Sequence, residues 1–249
     1  MMINYFLILW FLFLFIFDIV IYIRKNYGSD IYNRHWKNNF CNFLLTKLIS
    51  FLFLMPLVIY ASTHSLTHML SHKGAVLSII IAIIILDLAG YLFHRISHKN
   101  QFMWKFHEIH HLDEVLDATT GLRVHFMESI FHTCLNFIII WILGISMEAI
   151  LLHSIIGFII AIFHHSKVTL QIKFEKTLSY LITTPRFHEP HHDKEYENNN
   201  TNYSFIFSVW DRFFKTYHKE TFKRDWNYGL AYQRDVDMFE SIIRPLKKN

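Results

Sequence analysis

Residues 74–98 read GAVLSIIIAIIILDLAGYLFHRISH. The run from Gly74 to Phe93 carries a single charge, Asp87. At about 1.5 Å of rise per residue it makes a helix of about 30 Å, the thickness of a bilayer's hydrocarbon core. The helix continues into His94-Arg95-Ile96-Ser97-His98, whose two imidazoles at i and i+4 share one face. Asp87 lies on that face too, seven residues before His94 and eleven before His98. An acid inside a span is a functional candidate by default. Two readings stand: a carboxylate that accepts the second N–H of a metal-bound imidazole, or one bonded to a neighbouring helix.

Two further clusters follow, His107-Glu108-Ile109-His110-His111 and His188-Glu189-Pro190-His191-His192, both with the spacing HxxHH. One helical turn of that pattern presents two or three neutral nitrogen donors to one metal or to an adjacent pair. Imidazole suits Fe, Zn, Cu and Ni, so the donor type alone does not name the ion. A lone histidine on an apolar face is usually a packing residue. Eight of them in three boxes would be costly to bury without metal or hydrogen bonds. The chain has 18 histidines; His35, His132, His153 and His218 stand alone and receive no role. His64, His68 and His72 form another i+4 ladder, expected on a surface helix on the far side of the membrane.

The rest of the chain is read outward from these boxes. Of 249 residues 53% are hydrophobic, with 25 Phe against 7 Gly and 4 Pro, a composition of lipid-facing helices. Ile3 to Ile23, with Asp18 as its only charge, predicts a spanning anchor and not a cleaved signal peptide. Leu48 to Ala61 contains Pro56 and extends back through Phe43, with Lys47 snorkelling to the interface. The boxes at 94–111 and 188–192 can meet only if the apolar stretch from Cys134 to Phe163 crosses an even number of times. That argues for a short helical hairpin or a re-entrant pair, meeting near Gly144. Arg24, Lys25, Arg34, Lys37 and Lys47 lie in a predicted loop at 24–47, against Lys73 alone in 62–73. The bias puts the N-terminus outside and the boxes on the cytoplasmic face. The net charge of +4 comes with no dense basic stripe, which excludes a nucleic-acid partner. Cys41 and Cys134 form no close pair, so there is neither a disulfide framework nor a thiolate zinc site.

The expected fold is therefore all-α: an integral membrane helical bundle of about four to five spans, hairpin included, with a cytosolic histidine-rich helical cap. Residues 1–73 are read as anchor spans and loops, 74–217 as the catalytic domain and 218–249 as a C-terminal cytosolic tail. Within the cap the aromatic segment Tyr203 to Tyr217 suits the bilayer surface through Trp210 and Tyr217.

Two other classes compete. Both HxxHH boxes also spell HExxH, the motif of zinc metalloproteases, in which two histidines bind zinc and the glutamate is the base. Against an intramembrane protease, the motif occurs twice, Pro190 disfavours an uninterrupted helix through the second copy, and His94 and His98 are left unexplained. Carboxylate-type di-iron ligation needs more helix glutamates than Glu128 and Glu148. A non-catalytic membrane metal or electron-transfer protein would need paired histidines deep in the spans, or polar groups along them; only His153 lies at depth.

The order and spacing of the pieces from Asp87 to Tyr217 resemble the fatty acid hydroxylase/sterol desaturase superfamily. The matching pieces are Asp87 with His94 to His98, Trp104 with His107 to His111, and Arg123-Val124-His125-Phe126-Met127-Glu128. They continue with His165-Ser166, Thr184-Pro185 through His192, Asn202-Tyr203, and Trp210 to Tyr217. The chain departs from the pattern at Lys167, where many relatives have Asn, and at Ser204 and Lys215, where they have Gly. The resemblance implies two iron ions bound by imidazole, with O2 as co-substrate in hydroxylation or desaturation of lipid C–H bonds. Carried over by position, the ligands are His94, His98, His107, His110, His111, His188, His191 and His192. His165 is a ninth, and His125 a further candidate. No flavin or dinucleotide fingerprint is present, so an external electron donor is implied, a cytochrome b5-like protein, ferredoxin or reductase, besides the lipid substrate and membrane lipids.

Overall fold

In a computed structural model describing residues 2–25, 29–70, 75–222 and 226–247, the chain is helical, with no named strand among the described residues. Among the described residues five helices are long and apolar enough to cross a membrane: Tyr5–Ile23 within α1 (Met2–Lys25), the composite Arg34–Thr63, α4 (Ala75–Lys99), α6 (Phe126–Leu143) and α7 (Met147–His165). Leu9, Phe13, Ile16, Phe51, Phe53, Val76 and Ile80 are exposed on them, as side chains that face lipid would be.

The composite span is α2 (Ser29–Ile49), a π-helical turn at Ser50–Leu54 and α3 (Met55–Thr63). Pro56 lies in the first turn of α3, where its missing N–H leaves the preceding carbonyls to a wider turn. Most of the loop expected at 24–47 is thus helix. Hydropathy misses it because α2 buries polar groups, His35, Asn38, Asn39 and Asn42, against other polar groups.

The stretch from Cys134 to Phe163 is a hairpin of two full-length helices. Gly144 ends α6 with φ +68°, and a Cβ there would lie 2.5 Å from the Thr67 carbonyl oxygen, so only glycine fits the turn. Ser146 accepts from the Ala149 N–H and caps α7. A core of Ala61, Leu70, Ala82, Leu86, Ile140, Ile145 and Ala149 ties the hairpin to α3 and α4. The ladder at His64 and His68 is irregular loop, held by Leu66 N–H to Trp141 O at 2.7 Å; His72 lies outside the described residues.

Asn100 breaks the chain between α4 and α5 (Gln101–His111), accepting from the N–H groups of Phe102 and Met103. Beyond α7 come short helices only: α8 (Ile172–Leu178), α9 (Pro185–His188), α10 (Tyr196–Asn199), α11 (Val209–Phe213) and α12 (Met238–Ile243). Pro190 stops α9, and Glu189–His192 continues as a 3-10 turn.

Lys215, one of the departures from the family pattern, has φ +57°, the left-handed conformation that glycine adopts freely and a side chain resists. Lys215→Gly should therefore raise the thermal unfolding midpoint by about 2–4 °C, equivalent to about 1 kcal/mol in a chain of this size. An unchanged or lower midpoint in a detergent melt would show that Lys215 carries no strain.

Candidate metal centre

The ends of α4, α5, α7 and α9 converge at one end of the bundle and bring the boxes together. His94, His98, His107, His111 and His191 form one group, and His110, His165, His188 and His192 a second; within each, the ligand atoms lie within 4.8 Å of one another. Each HxxHH box serves both groups. His107 and His111, one turn apart on α5, point into the first, whereas His110 points into the second; His188 and His192 join the second and His191 the first. The groups adjoin, with the rings of His111 and His192 stacked at 4.6 Å.

The hydrogen bonds show which ring nitrogen is available. His94 Nδ1 donates to Tyr203 O (2.7 Å), His110 Nδ1 to Arg123 O (3.1 Å), His165 Nδ1 to Ala161 O (2.6 Å) and His191 Nδ1 to Thr201 O (2.8 Å). A carbonyl can only accept, so the proton of each neutral ring sits on Nδ1 and the Nε2 lone pair is bare. His107 Nδ1 likewise faces Glu128 Oε1 at 2.8 Å. Yet His94 Nε2 lies 3.0 Å from His107 Nε2, and His165 Nε2 3.2 Å from His110 Nε2. Facing lone pairs at that distance repel unless a cation lies between them. Nitrogens that share one ion, each at about 2.1 Å from it, would approach one another this closely. Buried nitrogens without a partner, both of His98 and Nε2 of His191 among them, add to the demand. The donor set fits two transition-metal ions.

Burial, reinforced by neighbouring imidazoles, holds His110, His111, His188, His191 and His192 well below the ordinary histidine range. The rings are poised as neutral ligands.

Around the centre, the loop after α5 is fixed by buried charge. His35 on α2 meets Asp113 at 2.9 Å and Asp117 at 3.0 Å, and Arg123 bridges Asp113 and Asp235, each at 2.6 Å. Burial alone would raise the Asp113 carboxyl, but His35 and Arg123 hold it below the usual carboxylate range. This network sets the carbonyl of Arg123 against His110. Close by, a Cβ on Gly121 would come within 3.1 Å of His165 Nδ1.

Two sequence-derived candidates sit elsewhere. His125 belongs to neither group: it caps α6, Nδ1 accepting from Met127 N–H (3.1 Å) and Nε2 donating to Ile242 O (3.3 Å), so both nitrogens are engaged. Asp87 touches no imidazole. It accepts from Ile206 N–H (3.0 Å), Phe207 N–H (3.1 Å) and Trp210 Nε1 (2.8 Å), because its helix face meets a loop whose N–H groups need partners inside the bundle. The carboxylate that orients a histidine is Glu128. His164, adjacent to His165, was missed; its buried ring lies 4.2 Å from that of His188, with Nδ1 unpartnered. Nothing in its spacing set it apart. Glu108, the base of the protease reading, is bonded to Tyr232 (2.7 Å) and Arg244 (2.9 Å) of the C-terminal segment.

The fatty acid hydroxylase family profile matches residues 79–216. Ornithine lipid hydroxylase OlsE of Rhizobium tropici is 28% identical over 170 residues, 68% of this chain and 50% of that protein. The alkylglycerol monooxygenases of Xenopus tropicalis and Homo sapiens are each 28% identical over 62% and 63% of this chain, and over 32% and 33% of their own lengths. The chain thus spans half the length of the former and about a third of the latter. No solved structure matches it.

Metal retention should depend on pH. The depressed histidines stay neutral in the fold but take up protons near pH 6.5 once released, so the open, metal-free state binds more protons below that value. Stability and metal are therefore full above about pH 6.5 and decline as pH falls. Metal analysis after dialysis between pH 8 and pH 5 tests this, and content that rises or holds flat on acidification contradicts it.

Proposed function

This chain belongs to the fatty acid hydroxylase family, and we propose that it is a membrane-bound, di-iron, O2-dependent oxidoreductase that hydroxylates or desaturates C–H bonds of a lipid. The observation that carries the reading is the pair of adjoining imidazole groups whose bare nitrogens face one another. His94, His98, His107, His111 and His191 would hold one ion and His110, His165, His188 and His192 the other. Iron in these positions would supply the redox chemistry that zinc lacks. The relatives, by name a lipid hydroxylase and monooxygenases, support a redox metal over a hydrolytic one.

The chain's own residues orient and exclude. Glu128 and the carbonyls of Tyr203, Arg123, Ala161 and Thr201 fix the rings, which raises their basicity as ligands. An open, mostly apolar pocket of about 450 Å³ between α4, α5 and α6, lined by Phe93, Ile96, Phe102, Met103, Phe131 and Leu135, is a candidate seat for a lipid alkyl chain. Hydroxylation combines R–H, O2, two electrons and two protons into R–OH and water; desaturation takes a second hydrogen and gives two waters. The electrons must come from a separate donor, a cytochrome b5-like protein, a ferredoxin or a reductase. The basic residues Arg34 and Lys37 at the histidine end of the bundle favour a cytoplasmic site.

Comparison of cellular lipids with and without the protein by mass spectrometry should reveal a species differing by one oxygen or two hydrogens. His107→Ala or His191→Ala should abolish that product and lose iron while the protein still inserts. Glu108→Gln should keep its metal and most of its activity. Loss of turnover in Glu108→Gln at full metal content would point to the protease reading instead.

A further inference from the structure

A second feature lies outside the metal centre and does not depend on its chemistry. Six residues after the end of α7 the chain turns into α8, so α8 lies close to the end of a span. On α8 and its neighbours Phe174, Tyr180, Leu181 and Phe213 are each more than half exposed. Between α8, α11 and the segment after it lies an open pocket of about 490 Å³. Its cations are Lys176, Arg212 and Lys219, with Glu220 as the one acid on its wall.

Arg212 is preorganised. Its guanidinium carbon lies 4.5 Å from the Tyr180 ring, 4.8 Å from Tyr217 and 5.3 Å from Phe187, and Nη1 donates to Ser208 O at 3.2 Å. No carboxylate forms an ion pair with Arg212, Lys176 or Lys219 among the described residues. A half-buried arginine fixed by aromatic rings, beside two lysines and without an anion of its own, is a cation awaiting one. Exposed apolar side chains on the same elements, which do not themselves line the pocket, decide what kind. Phe174, Leu181 and Phe213 beside a soluble ligand would sit in water at a cost, whereas at the bilayer boundary they enter the acyl region and bring the three cations to headgroup depth.

We propose that this pocket is a binding site for the phosphate headgroup of an anionic bilayer lipid, seated by Arg212, Lys176 and Lys219.

Full-length protein in a neutral detergent is titrated with phosphatidylglycerol or phosphatidylcholine of equal chain length, and bound lipid is counted by native mass spectrometry. The wild type should prefer phosphatidylglycerol by about fivefold or more, as expected for three cations at a headgroup. The double variant Lys176→Glu/Lys219→Glu should lose that preference while eluting as a folded species with unchanged metal content. Lys37→Glu, on α2, should retain it. Equal binding of both lipids, or a preference that survives the double charge reversal, overturns the proposal. Displacement of phosphatidylglycerol by inorganic phosphate at equal concentration makes the site one for free phosphate and overturns it too. If the double variant binds lipid as the wild type does but fails to accept electrons from an acidic donor protein, the surface is a protein interface and the lipid assignment falls.

Discussion

An imidazole has one proton to place, and here the scaffold decides where it goes. Carbonyls at Tyr203, Arg123, Ala161 and Thr201 take the Nδ1 proton of His94, His110, His165 and His191, leaving Nε2 with only a lone pair. Those lone pairs then face one another at 3.0–3.2 Å in a region from which water is excluded. Neither hydrogen bonding among the rings nor protonation resolves the repulsion, since burial and neighbouring rings both disfavour the charged form. Positive charge has to come from outside the chain. The neutral centre is thus a demand created by the backbone carbonyls, one that a metal ion could meet.

The carbonyls must be held in turn, and buried acids hold them. Asp18, the only charge in the first apolar run, accepts from Ala118 N–H (2.8 Å) and Lys167 N–H (2.7 Å), the loops that follow α5 and α7. Asp87 does the same for the loop after Tyr203, and Asp211 for Tyr203 N–H and Ser204 N–H, both at 2.8 Å. Each carboxylate projects from a helix onto irregular chain, satisfying N–H groups that have no water to bond. Buried ion pairs contribute little net stability, but removing one partner strands a charge. The value of the His35–Asp113–Arg123–Asp235 network is positional: it fixes the Arg123 carbonyl against His110.

Legibility in the sequence followed the range of the interaction. The boxes were readable because i, i+3 and i+4 spacing is a local property of one helical turn, and the hairpin followed from parity once both boxes had to share a side. The identity of α6 and α7 as separate helices needed only Gly144. Asp87 was recognised as out of place, but its partners lie about 120 residues away, and no spacing rule reaches that far. The polar half of α2 looked like loop because its partners are loop residues with equally polar side chains. The i+4 spacing of His64 and His68 suggested helix, yet the loop's own hydrogen bonds to the end of α6 override it. His164 carries no signal, since a histidine beside a candidate ligand is indistinguishable from a packing residue until its ring is seen against His188.

The division of each HxxHH box between the two groups has a mechanical consequence. His110 and His111 are adjacent on α5 yet serve different groups, and so are His191 and His192 on the 3-10 turn. A rotation of α5 that draws His111 toward the first group moves His110 with it, because the backbone between them is rigid helix. The two positions are therefore tied through two short rigid elements, while His94 and His98 on α4 serve the first group alone and His165 on α7 serves the second alone. A change in either single-group helix alters one position directly and reaches the other only through the shared boxes. Separate helices would let the two imidazole groups drift apart; shared boxes keep them adjacent, as the proposed pair of ions would require.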